Sequence, residues 1–516
     1  MAERARQFLV VGFSTVGSRV LGLVRDMVAF GILGTGLLNS AFLLAFTLPN
    51  LFRRLLGEGA LTSALVPVLT RQRIRSGERG FFELLEAVTW RVGAALLGLV
   101  VAGSLLLWWL PQVVDLSERW ELGAGLGRVL LPYLLLVCLA AVFGAALNVR
   151  KRFGVHALSQ VWLNIAQILA LAVGAAWFAS TDEGRVGWLC AGVLVGGLAQ
   201  ALIPAAALRR EGFAGSMRWQ ADGLKDLWSL LLPGLAGAAV SQVNLAVTRV
   251  LAFGVSEEAV AVLYLASRLI ELPLGVFVVT VTTVRFPELA ALAQAGNRAG
   301  AAHCYREAAR EIWTITLPAA AGLLLLAEPI LAVLFGRGRF GAEEAALTAG
   351  PLAVYALALP LYGVTALATR GLHAFGNMVT PSRLAVVNFV LNTGLCLVLM
   401  RPFGILGLAW ANVIATAVHA LVLDIAWRRC CPEAGSRRSG YAGLARLALA
   451  TAVMVGVVSA GHWGIAAWAG ETRLADWLAV LLLVPLGAAA YVGLLWSFGG
   501  EERSRLAGLI AGFRRR

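Results

Sequence analysis

Arg19, Arg25 and Asp26 stand inside the first long apolar run of this chain, and Arg53, Arg54 and Glu58 inside the second. Arg268 and Glu271 occupy the eighth, just before Pro273. Arg19 and Asp26 are two turns apart on one helix face, Arg54 and Glu58 are an i,i+4 couple, and Arg268 and Glu271 are an i,i+3 couple. Two chemistries fit these residues. Acid–base couples could tie helices together as buried ion pairs, which suits Arg54, Glu58 and Glu271 best. The arginines outnumber the acids, however, and a buried cationic surplus is stable only against water or an anionic ligand. Guanidinium forks donate paired hydrogen bonds to phosphate and pyrophosphate. Lys151 and Lys225 are the only lysines, so the choice of arginine is uninformative and the position of the charge is what counts. The expectation is an internal, cationic, water-filled cavity.

The elements that would position these charges follow from composition. The 516 residues are 59% hydrophobic and 14% charged, with a mean hydropathy of +0.80. Near-uncharged runs of about 20 residues match a ~30 Å hydrocarbon core, and they are too long and uniform for barrel strands. The pattern predicts an all-α integral membrane protein of about fourteen spans. Their limits are 8–34, 37–62, 84–110, 128–149, 156–179, 186–208, 228–253, 259–286, 309–335, 346–371, 382–400, 404–427, 442–467 and 474–498. Arg19 then lies roughly 17 Å into the first span, too deep to reach either surface easily.

The loops alternate in charge. Arg71, Arg73, Arg75 and Arg79, then Arg150, Lys151 and Arg152, then Arg209, Arg210, Arg218 and Lys225 mark one side. Arg298, Arg306 and Arg310, then Arg428, Arg429, Arg437 and Arg438, and the tail Arg514–Arg516 continue it. Asp115, Glu118, Glu121, Asp182, Glu183, Glu257 and Glu258 mark the other, with Arg337, Arg339, Arg401 and Arg473 as exceptions. The bias puts both termini in the cytoplasm. The net charge of +14 therefore belongs to loops, and no nucleic-acid-binding motif accompanies it. The six cysteines and five histidines lack ligand spacing, so no metal and no cofactor are expected. Gly192 and Gly196 have the spacing of close helix packing.

Leu48-Pro49 with Val66-Pro67, and Leu272-Pro273 with Phe286-Pro287, hint at a duplicated half. Residues 18–26, Ser-Arg-Val-Leu-Gly-Leu-Val-Arg-Asp, resemble the first helix of the MurJ (MviN) lipid II flippase family. So do Leu48-Pro49-Asn50-Leu51-Phe52-Arg53-Arg54 with Glu58-Gly59-Ala60, Arg268-Leu269-Ile270-Glu271-Leu272-Pro273, and Arg370-Gly371-Leu372-His373 with Asn377 and Thr380-Pro381. The resemblance covers nearly the whole chain. It implies a member of the multidrug/oligosaccharidyl-lipid/polysaccharide exporter superfamily, with two pseudo-symmetric six-helix lobes, 1–225 and 226–430. Residues 431–516 would add two C-terminal helices and a basic cytoplasmic tail.

The activity implied is not enzymatic. It is flipping of undecaprenyl-pyrophosphate-linked peptidoglycan precursor, lipid II, from the cytoplasmic to the periplasmic leaflet of the bacterial inner membrane by alternating access. Carried over position by position, Arg19, Arg25, Asp26, Arg53 and Arg268 are the implied substrate-binding residues, and Arg54, Glu58 and Glu271 the supporting ion pairs. The implied partners are lipid II, the membrane and the cell-wall synthesis machinery. Some departures stand out. A family aspartate is Ser40 here, and Asn244, Asn388 and Asn392 stand at the polar positions of a sodium site found in some members, its carboxylates replaced by neutral amides, so sodium coupling is not expected. Arg249 is a further candidate, and Arg285 and Glu288 have no counterpart in this reading. The alternatives are a flippase for another polyprenyl-linked saccharide, or a drug exporter of the same superfamily. A membrane glycosyltransferase is disfavoured because the outside loops are short.

Overall fold

The computed structural model describes residues 2–57, 60–432, 437–470, 472–499 and 503. Among these every regular element is helical, as expected where lipid offers backbone groups no partner and each segment must bond within itself. Eight helical runs are long and apolar enough to cross a membrane. The number rises to ten when Arg298–Leu325 with Ala327–Phe335, bent by 77°, and Ala342–Leu357 with Leu359–Ala374, bent by 41°, each count as one span. Two of the eight runs contain a reversal of backbone hand, at Gly77 (φ 65°) and Gly404 (φ 56°), which only glycine adopts without strain. Each of these runs is therefore two helices, and the total is compatible with the expected fourteen spans. The protein is an all-α, multi-pass membrane protein.

The chain forms two compact units. The first comprises Met1–Ala261 together with Arg337–Phe340. Its helices are α1 (Ala2–Leu33), α2 (Leu37–Ala45), α3 (Thr47–Phe52), α4 (Ala60–Val113), α5 (Glu118–Val149), α6 (Phe153–Ala157), α7 (Ser159–Leu169), α8 (Ala176–Phe178), α9 (Asp182–Arg209) and α10 (Leu224–Val255). Buried Val88, Val92, Leu96 and Val100 make one stripe of α4, and Leu130, Leu134, Val137 and Ala141 one stripe of α5. The Gly192/Gly196 spacing does what it predicts. A Cβ on Gly196 would stand 2.9 Å from the Cα of Leu163 in α7, so the backbones of α7 and α9 touch. Tyr133 of α5 donates to Gln200 Oε1 (3.1 Å), whose amide donates to the Ser159 carbonyl (3.0 Å).

Segment Arg337–Phe340 explains one of the exceptions in the loop charge pattern, Arg339. Arg339 N–H donates to the Gly31 carbonyl at 2.8 Å, and fully buried Phe340 meets Phe30 edge to face at 6.1 Å. The Arg339 guanidinium pairs with Asp182 at 2.6 Å, so its charge is compensated locally.

The second unit comprises Val262–Gly336 and Gly341–Arg516. It holds α11 (Ala259–Pro273) from Val262 onward, α12 (Val279–Gln294), α13 (Arg298–Leu325), α14 (Ala327–Phe335), α15 (Ala342–Leu357), α16 (Leu359–Ala374) and α17 (Val379–Cys430). The C-terminal helices are α18 (Arg437–Ala469), α19 (Arg473–Leu478) and α20 (Val484–Ser497). Buried Trp427 organises one core, stacked on Tyr305 at 4.5 Å and edge-on to Phe375 at 5.5 Å. A second core joins Met454 and Val458 of α18 to Tyr491 and Leu495 of α20, and Tyr491 donates to the Thr314 carbonyl at 2.8 Å.

Candidate functional site

In α1 the two arginines divide the work. Asp26 is 3% exposed, and its Oδ1 accepts from both Arg25 Nε (3.0 Å) and Arg25 NH2 (2.6 Å). Arg25 NH1 reaches Asn164 Oδ1 of α7 at 3.4 Å, and the Asn164 amide donates to the Ser18 carbonyl at 3.1 Å. Arg25 is thus held in place by its neighbour and by a second helix. Arg19 is exposed, and among the described residues no hydrogen bond or ion pair is recorded for it. A guanidinium left open within an apolar run can bind an anion; one locked to a buried carboxylate first shapes the helix.

The second span is broken rather than straight. Pro49 has no N–H for the helix ladder, and α2 gives way to α3 and then to a π-helical turn over Arg53–Gly57. That turn carries both Arg53 and Arg54, and Arg53 Nε donates to Asn50 Oδ1 at 2.9 Å. The expected Arg54–Glu58 couple cannot be followed to its end, because Glu58 lies outside the described residues. Arg249 of α10 joins this region, donating from NH1 to Thr47 Oγ1 at 2.8 Å, and Thr47 donates in turn to the Leu43 carbonyl.

In the second unit Arg268 and Glu271 form the expected i,i+3 pair at 3.1 Å. Pro273 ends α11 and a π-helical turn, Leu274–Val278, follows. Each unit therefore has a proline closely followed by a π turn, beside a candidate arginine. Arg285, unexplained by sequence, bridges Glu288 of its own helix (3.3 Å) and Glu311 of α13. It ties two helices together. Arg370 donates to Thr283 Oγ1 at 3.1 Å. The Asn388 Oδ1 is buried and has no hydrogen-bond partner among the described residues. Among the described residues, no group of three or more His, Cys, Asp or Glu side chains is placed to hold a metal ion.

Sequence reasoning missed Asn164, Asn50 and Thr47. The signal for Asn164 was present: Gln160, Asn164 and Gln167 recur at i, i+4 and i+7, a polar stripe in an apolar run.

The chain matches the family model for the lipid II flippase MurJ over residues 30–474. It is 33% identical over 509 residues to a probable lipid II flippase MurJ of Bdellovibrio bacteriovorus, covering 95% of this chain and 94% of that one. A probable lipid II flippase MurJ of Rhizobium meliloti is 34% identical over 434 residues, covering 82% and 81%. Among solved structures, lipid II flippase MurJ in an inward closed conformation superposes with a TM-score of 0.79 at 22% identity, over 95% of this chain and 98% of that one. An inward-facing multidrug resistance MATE transporter superposes with a TM-score of 0.65 at 17% identity, over 82% and 96%. At those identities the structures speak to the fold alone.

Proposed function

This chain belongs to the lipid II flippase MurJ family, and from that membership we propose that it carries lipid II across the bacterial inner membrane, from the cytoplasmic to the periplasmic leaflet, for cell-wall synthesis. It is a transporter and not an enzyme. The single observation that carries the reading is the family match over most of the chain. The likeness to MATE transporters fits drug export only at the level of fold.

The finer reading assigns roles. Arg19, Arg25, Asp26, Arg53 and Arg268 serve substrate binding, and Arg54, Glu58 and Glu271 support them as ion-pair partners. Lipid II presents a pyrophosphate, whose oxygens accept the paired hydrogen bonds a guanidinium offers. Arg19 is the leading contact, because it is exposed within an apolar run. Arg25 acts through its fixed position, set by Asp26 and Asn164. The proline–π-turn breaks beside Arg53 and Arg268 supply bending points suited to alternating access. Both termini face the cytoplasm on the loop charge bias, and the cell-wall synthesis machinery consumes what is flipped.

The test is depletion of the resident lipid II flippase in a bacterium and rescue with this gene. Growth with normal cell shape is expected from the wild type and lysis from Arg268→Ala at equal membrane abundance. Failure of the wild-type gene, despite its accumulation in the membrane, would contradict the substrate assignment.

A further inference from the structure

Past Gly77, α4 carries an exposed stripe at helical spacing: Trp90, Ala94, Leu97, Val101, Leu105 and Trp108. Val88, Val92, Leu96 and Val100 are buried on the opposite face. From Trp90 to Trp108 the helix rises about 27 Å, close to the ~30 Å thickness of a hydrocarbon core. A tryptophan at each end of such a stripe is the signature of the two membrane–water interfaces. Trp90 therefore marks the level of one interface.

The linker between α9 and α10 is pinned at that level. Over residues 213–221 it has no regular structure, yet it is held at several points along its course. Trp90 Nε1 donates to the Gly215 carbonyl (3.2 Å), and Arg91 Nε donates to the Trp219 carbonyl (2.6 Å). Ser216 N–H donates to the buried carboxylate of Glu86 (3.1 Å), and buried Phe213 packs edge-on against Phe143 at 5.7 Å. Arg218 turns back to Glu83 and Glu86, at 3.5 and 3.7 Å. The pins account for the inward-facing groups and leave Met217 65% and Trp219 45% exposed. Exposed Arg209, Arg210 and Lys225 flank the linker; the acids nearby are Asp222, Glu211, which pairs with Arg150 and Arg152, and Asp226, which pairs with Arg71.

We propose that residues 212–223 form a membrane-surface strap. Met217 and Trp219 lie in the headgroup–acyl boundary of the leaflet at the Trp90 end, and anionic phospholipid headgroups gather against Arg209, Arg210 and Lys225. The occupant is lipid rather than protein because the patch continues the lipid-facing stripe of α4, and its basic flanks complement anionic headgroups. An amphipathic side chain such as tryptophan is most stable where one end is apolar and the other wet. The strap goes beyond transport: it fixes the depth at which the first unit sits in the bilayer.

The test is site-directed spin labelling of the full chain in vesicles of phosphatidylcholine, with or without phosphatidylglycerol. Met217→Cys carries the probe, Val101→Cys supplies the mid-bilayer reference, and Arg79→Cys, whose native side chain is 89% exposed, supplies the aqueous one. The wild type, labelled in parallel, gives the background of the native thiols. The ratio of oxygen to nickel-chelate collisions at 217 should be severalfold above that at 79, below that at 101, and higher when phosphatidylglycerol is present. A ratio equal to that at 79 would overturn the strap. An unchanged ratio with phosphatidylglycerol would overturn the anionic headgroups, and dipolar broadening between labels would replace lipid with a second copy.

Discussion

Asp26 and Arg25 should be coupled in stability. Asp26 is 3% exposed and its carboxylate accepts two hydrogen bonds from Arg25, whose side chain is 16% exposed. Removing one member of a buried pair strands the other charge and costs about 3–5 kcal/mol. Arg25 keeps some contact with solvent, so Asp26→Ala should sit near the lower end, about 3 kcal/mol, and Arg25→Ala, which strands the more deeply buried acid, nearer the upper end. The double variant strands neither charge. It should be less damaged than the sum of the single variants, with a coupling of about 2 kcal/mol. Thermal unfolding in detergent can be followed with a thiol-reactive fluorophore, since Cys138, Cys190, Cys304, Cys396 and Cys431 are buried in the native state. Midpoint shifts of the two single variants that simply add in the double variant would refute the pairing as a source of stability.

The remaining predictions separate packing from charge. Gly196→Val should destabilise by about 1–3 kcal/mol through overpacking against the Leu163 backbone, seen as a lower midpoint and reduced membrane accumulation. Phe340→Ala should cost about 3–5 kcal/mol by emptying the contact with Phe30, whereas Arg339→Ala, removing an exposed pair with Asp182, should cost no more than about 1 kcal/mol. A larger effect from Arg339→Ala than from Phe340→Ala would mean that charge rather than packing holds the segment. Arg19→Ala should leave the unfolding midpoint within about 0.5 kcal/mol of wild type, as expected of an exposed side chain.

What could be read from the sequence was whatever depends on neighbours along one helix. Apolar runs named the membrane-crossing character, and eight to ten described runs are long and apolar enough to cross, a number compatible with fourteen. The Gly192/Gly196 spacing named a close helix contact and Arg268 with Glu271 an i,i+3 pair, and both appear in the structure. Contacts between distant segments were not legible. Arg25 meets Asn164 across 139 residues, and Arg285 meets Glu311 across 26, and no periodicity within one helix encodes a partner on another. Arg339 looked like an exception to the loop charges because Asp182, its partner, is 157 residues away. Proline at 49 favours a break in the second span, but the register in which the helix resumes, a π turn at Arg53, depends on packing that the sequence does not display.

On the proposed function, this protein moves lipid II and Arg19 serves the lipid rather than the fold. Leaflet-resolved labelling of lipid II in cells depleted of their resident flippase tests both parts at once, with wild type and Arg19→Ala present at equal membrane abundance. Lipid II should reach the periplasmic leaflet with the wild type and remain in the cytoplasmic leaflet with the variant. Equal outward labelling in the two strains would contradict the role of Arg19.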